Sequence, residues 1–115
     1  MNELLRYTIR FEGLEVRDAG EAAESLRRTL IDEAPSVEAR RVRADHDAMD
    51  FGAGLVVVLT APAVVELAKG IAAWLVRTHS SKVTIMRSDG KVVVENIDAR
   101  DAVNLAEKLG AADGH

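Results

Sequence analysis

From Leu4 to Glu12 the chain alternates, with Leu5, Tyr7, Ile9 and Phe11 on one side and Arg6, Thr8, Arg10 and Glu12 on the other. Successive strand side chains point to opposite faces, so this period of two predicts a half-buried β-strand. A sheet with one apolar face must bury it against another layer. The next segment offers that layer. Ala19, Ala22, Ala23, Leu26, Leu30 and Ile31 recur at helical spacing, while Glu21, Glu24, Arg27 and Arg28 take the outer side. The pattern predicts a turn over 13–18 and a helix from about Ala19 to about Glu33, stopped by Pro35, which disfavours α geometry at Ala34.

Further along, Val37 and Ala39 share one face of an extended segment, Ser36–Ala44, whose Val42 and Ala44 share the other. That change of phase predicts a bulge or an edge strand. Leu55–Leu59 is a short continuous apolar run, either a buried strand or a buried helical turn, and its β-branched residues favour the strand. Pro62 suits the first turn of a following helix, with Thr60 or Ala61 as its cap. That helix carries Val64, Leu67, Ala68, Ile71, Trp74 or Leu75, and Val76, and ends at the cations Arg77 and His79. Val83 and Ile85, then Val92 and Val94, flank Asp89-Gly90, a hairpin signal because such turns need positive φ. Asp98 can cap a last helix whose Ala102, Leu105, Ala106 and Leu109 face inward, and 110–115 reads as a frayed polar tail. The expected fold is α+β: one domain over 1–115, a mostly antiparallel four-stranded sheet with helices packed on one face, and 55–60 as the candidate fifth strand.

Composition narrows the function classes. A chain of 115 residues buries roughly two-thirds of its unfolded surface in one core, and 48% hydrophobic with 30% charged residues are globular values. Zero cysteines exclude disulfides, thiolate metal sites and cysteine nucleophiles, and agree with a cytoplasmic chain. A net charge of −4 supplies no broad field for phosphates or anionic lipid, so neither nucleic acid nor membrane is expected as a partner. Met1–Arg10 lacks a basic start followed by a long apolar run, which predicts no secretory signal. Leu55–Val65, broken by Thr60 and Pro62, falls short of the about 20 residues a bilayer span needs.

Candidate chemistry is sparse. Asp45, His46, Asp47 and Asp50 bring hard ligands together in an acidic loop, so His46, Asp47 and Asp50 form the alternative reading of a small metal- or ligand-binding domain. Their spacing fits no standard metal motif, and an exposed acidic loop is the plainer reading. Phe51-Gly52-Ala53-Gly54 lacks the lysine and hydroxyl that end a phosphate loop. Among Ser25, Ser36, Ser80, Ser81 and Ser88, none lies in a nucleophile elbow, and His79 beside Ser80 and Ser81 reads as a helix end. No catalytic residue, metal or cofactor is therefore expected, and the chain reads as a non-enzyme. Arg40, Arg41 and Arg43 with Arg27 and Arg28 form a basic patch suited to an acidic partner or a phosphate, with neutralisation by Glu24, Asp32 and Glu38 as the plainer reading. The four aromatics, Tyr7, Phe11, Phe51 and Trp74, supply no stacking platform for bases. The apolar excess of the Trp74 helix predicts either deep burial or a docking face; the second reading takes Ile71, Trp74 and Leu75 as interaction residues for a protein partner or a second copy.

Ala72-Ala73-Trp74-Leu75-Val76-Arg77, followed by the Val83/Ile85 and Val92/Val94 pairs around Asp89-Gly90 and then Asp98-Ala99, resembles the bacterial effector-associated constant component family. The resemblance covers about Gly54 to the C-terminus, with a weaker match of the first strand and helix. It implies a small non-catalytic adaptor of a bacterial conflict system, linking variable effectors such as peptidases or toxins to NTP-dependent regulators. It also implies that Leu55–Leu59 is a short helix before the long one, although Thr60-Ala61-Pro62-Ala63 stands where a glycine-rich break is more typical.

Overall fold

The computed structural model describes residues 4–42, 54–78, 82–87, 90–101, 104–105 and 107–109. The alternating segment forms β1 (Leu4–Glu12), followed by α1 (Val16–Glu33), β2 (Glu38–Val42), β3 (Gly54–Thr60), a 3-10 turn at Ala61–Ala63, α2 (Val64–Thr78), β4 (Lys82–Arg87) and β5 (Val92–Ile97). The strands form one sheet in the order β2-β3-β1-β4-β5, with every neighbouring pair antiparallel. The first strand in sequence is therefore the middle of the sheet. Its Tyr7, Ile9 and Phe11 are buried beneath the helices, whereas Arg6, Thr8, Arg10 and Glu12 face away.

The helix implied by family resemblance for Leu55–Leu59 is not what forms. The run is the core of β3, hydrogen-bonded to β1 on one side and β2 on the other, which makes the sheet five-stranded. Three consecutive valines suit a pleated surface that is packed on both edges. The run has no polar alternation because Leu55, Val57 and Leu59 face the helices while Val56 and Val58 stay half-buried on the other side.

α1 begins at Val16, about one turn earlier than the apolar spacing predicts. Gly13, at φ 75°, turns the chain directly out of β1, and the Glu15 carbonyl accepts from the Ala19 N–H at 2.8 Å without a side-chain cap. No Ser, Thr, Asp or Asn marks that start, so the sequence carries little sign of it. The other end behaves as Pro35 requires: Ala34 leaves helical geometry at φ −138° while its N–H still reaches the Leu30 carbonyl. Pro62 occupies the 3-10 turn that leads into α2, and Thr60 makes no side-chain cap.

β2 and β5 are the edges, and they differ. β2 pairs with β3 over five consecutive positions without a register shift, so the phase change around it marks an edge rather than a bulge. β5 is irregular. Between Val83↔Ile97 and Ile85↔Val94 it holds one residue more than β4, and between Ile85↔Val94 and Met86↔Val92 one more again. Asn96, at φ 56°, occupies the first bulge and donates its N–H to the buried Thr84 hydroxyl at 3.0 Å. At the β4–β5 turn, Gly90 takes φ 90°, its N–H bonds the Arg87 carbonyl, and the Arg87 N–H bonds Lys91. This is the bonding of a three-residue loop closed by a left-handed glycine, not of a two-residue Asp-Gly turn.

The core is one continuous cluster between the sheet and the helices. Leu105 and Leu109 are fully buried in it, and Asp98 accepts from the Arg100 N–H at 3.0 Å ahead of them. Ala102, Ala106 and the expected tail at 110–115 lie outside the described residues. Tyr7 is buried to 1% exposure, and its hydroxyl has no hydrogen-bond partner among the described residues. An orphaned buried polar group of this kind costs about 1–3 kcal/mol.

Candidate functional site

The residues singled out for docking on α2 are part of the core. Ile71, Trp74 and Leu75 are 0, 1 and 0% exposed. The Trp74 ring meets Phe11 edge-on at 5.5 Å, and its indole N–H donates to the Ser25 hydroxyl oxygen on α1 at 2.9 Å. α2 carries apolar residues over more than one stripe because it packs against the sheet and α1 at once. At Gly70 the two helices approach so closely that a Cβ would stand 2.6 Å from the Leu30 side chain. The surface expected at Ile71, Trp74 and Leu75 is therefore covered by this chain itself.

Polar candidates are placed as follows. Ser25 receives the Trp74 indole, and the Ser36 backbone N–H donates to Glu66 at 3.4 Å. Thr29, buried, donates to the Ser25 carbonyl and receives the Arg77 guanidinium. Asp45, His46, Asp47, Asp50, His79, Ser80, Ser81, Ser88 and Arg43 lie outside the described residues. Among the described residues no group of three metal-ligating side chains occurs, and no helix is long and apolar enough to cross a membrane.

Of the arginines expected to form a patch, Arg27, Arg28 and Arg41 gather around Glu24, whereas Arg40 lies on the other face of β2 and Arg43 lies outside the described residues. Glu24, on α1, accepts from Arg27 through both carboxylate oxygens at 3.1 Å and from Arg28 Nε at 3.1 Å; Arg41, on β2, lies 3.7 Å away. Hydrogen bonding from Arg27 is the largest cause that holds the Glu24 carboxyl below its usual pKa; desolvation opposes it, and the bond from Arg28 with the two positive charges carries the balance downward. The same partner raises Arg27. On the other face of β2, Arg40 bonds Glu38 at 2.9 Å. Asp32, expected among the neutralising acids, makes no ion pair with a described residue, so three guanidiniums share one carboxylate.

The sheet face turned away from the helices has its own order. Following the ladders outward from Thr8, the partners line up as Arg40, Val56, Thr8, Met86 and Val92, one from each strand. Side chains in register share a face and touch their neighbours, so this row is an apolar belt with a charged end. Beside it, Val58 lies between Glu38 and Arg6. At the β5 end, Arg10, Glu12, Thr84, Met86, Val92, Glu95 and Asn96 line an open depression of about 360 Å³, with Arg10 and Glu12 paired at 3.5 Å. No described element packs on this face. Sequence alternation marks its β1 residues, but the belt itself depends on register, which requires the strand order.

A five-stranded antiparallel sheet with helices on one face and a mixed apolar and charged face on the other defines a small α+β domain with a surface suited to contact. The chain belongs to the Effector Associated Constant Component 1 family, whose pattern it matches over residues 15–112. Comparison with curated proteins and with solved structures returned no match. Membership makes this chain an effector-associated accessory component, and it favours interaction with other proteins.

Proposed function

We propose that this protein is a non-enzymatic adaptor of a bacterial conflict system, acting in the cytoplasm and coupling an effector to its regulator by direct contact with both or either. The belt Arg40, Val56, Thr8, Met86 and Val92 carries this reading, together with the family's effector association. Val92 is 51% exposed and Val56 and Met86 are half-buried, so the belt offers apolar area that a partner can remove from water. Flanking charges at Arg6, Arg40 and Glu38 set orientation, as polar rims do around apolar contact centres.

The test is co-expression of the chain with the proteins encoded beside it, followed by affinity capture and calorimetric titration of the captured pair. Val56→Glu places a charge in the middle of the belt without entering the core. It is expected to weaken binding by about tenfold or more, equivalent to at least about 1.4 kcal/mol, with the circular dichroism spectrum unchanged. Unaltered affinity in a folded Val56→Glu chain contradicts the belt as contact surface. Failure of every neighbour-encoded protein to bind contradicts the adaptor reading itself.

A further inference from the structure

We infer that the outer edge of β2 is a strand-addition site for an extended, acidic segment of the partner protein, an inference that rests on the adaptor reading. Strand addition needs a free, regular edge whose N–H and C=O groups can continue the ladder. No described segment pairs with the outer side of β2, which runs Glu38–Val42 in unbroken register with β3. The opposite edge is unsuited. β5 holds two extra residues against β4 and the left-handed Asn96, and bulges of this kind twist an edge out of alignment with an incoming strand.

Charge then selects the occupant. Arg40 points to the open face and Arg41 to the helix side, where it joins Glu24, Arg27 and Arg28. Each guanidinium carries five N–H donors, and the three around Glu24 make three hydrogen bonds to it. Among the described residues this corner therefore sets three guanidiniums around one carboxylate, while Arg40 on the other face is paired with Glu38. Arg28 and Arg41, with side chains 76 and 46% exposed, can both turn donors toward a newcomer. Two consecutive acidic residues in an added strand would stand opposite Arg40 on one face and Arg41 on the other.

A second copy is a poorer occupant. Antiparallel β2 strands centred on Arg40 would set Arg40 against Arg40, and like charges directly opposite are destabilising. The register centred on Ala39 avoids that clash and sets Glu38 against Arg40, but it leaves Arg41 opposite the apolar Val37 and brings no carboxylate to the corner around Glu24. A nucleic acid is poorer too, because the overall negative charge repels a long polyanion, and Tyr7, Phe11 and Trp74 are buried.

The 115-residue chain is titrated, at low salt and followed by amide NMR shifts, with a valine-rich peptide of about nine residues bearing a central Glu-Glu pair. A matched Lys-Lys peptide and a single-stranded RNA oligonucleotide serve as comparisons. The Glu-Glu peptide is expected to bind about tenfold more tightly than its Lys-Lys counterpart, with shifts in 38–42 and none in 92–97. The exposed double replacement Arg40→Glu/Arg41→Glu is expected to reverse the peptide preference while keeping the fold. Equal affinities, no binding, preference for RNA, shifts centred on β5, or a concentration-dependent dimer through β2 overturns the inference. If a neighbour-encoded protein is captured while the peptide result is negative, only this edge assignment falls; if no protein is captured, the adaptor reading falls.

Discussion

Replacing Trp74 by alanine is expected to remove about 3–5 kcal/mol of stability, a large part of the roughly 5–15 kcal/mol that holds a domain folded. The indole is the largest fully buried side chain and lies where β1, α1 and α2 meet. Truncation would open a cavity on Phe11, lose an edge-on aromatic contact worth about 0.5–1.5 kcal/mol and leave the buried side of Ser25 without its donor. Urea titration followed by far-ultraviolet circular dichroism, since Trp74 is the sole tryptophan, should show the midpoint fall by about 2 M with an unchanged slope. A variant as stable as the parent but deficient in partner binding would place Trp74 at an interface instead.

Gly54→Val is expected to cost about 3 kcal/mol, although valine is the better strand former by up to about 1 kcal/mol. Gly54 stands between Arg10 of β1 and Val42 of β2 in the ladders. A Cβ there would lie 2.9 Å from the Ile9 carbonyl oxygen, a backbone atom held by the sheet. Relief therefore means parting β1 from β3 at this end of their ladder, which no side-chain rotation avoids. Here Trp74 fluorescence can follow unfolding in urea. A midpoint equal to or above that of the parent would show that the β1–β3 approach is looser than described.

The local periods of this chain are legible in its sequence, and its three-dimensional neighbours are not. The alternation of β1, the stop before Pro35 and the strands around Gly90 follow from steric rules acting within a few residues. Leu55–Leu59 is ambiguous because Val56 and Val58, on the face away from the helices, are apolar and half-buried, so the run lacks the polar alternation that marks β1. The apolar breadth of α2 was equally compatible with burial and docking. Its resolution depended on Gly70, where a missing side chain lets α1 come close enough to cover the second stripe.

The candidate surface was legible only in pieces. Arg27, Arg28, Arg40, Arg41 and Arg43 are legible as a basic group, but that one carboxylate serves Arg27, Arg28 and Arg41 requires the side-by-side placement of α1 and β2. The apolar belt was invisible for a similar reason: its five members are distant in sequence and meet through ladder register. The bulges that disqualify β5 as a docking edge arise from residues inserted between paired positions, which no periodicity records.

The most direct measurement is amide hydrogen exchange of the chain alone and bound to its neighbour-encoded partner. Contact through the strand side predicts slowed exchange in β2 on binding, while α2, already protected by its burial around Trp74, exchanges at the same rate in both states. Protection gained in α2, with β2 unchanged, would contradict that account and return the interface to the helices.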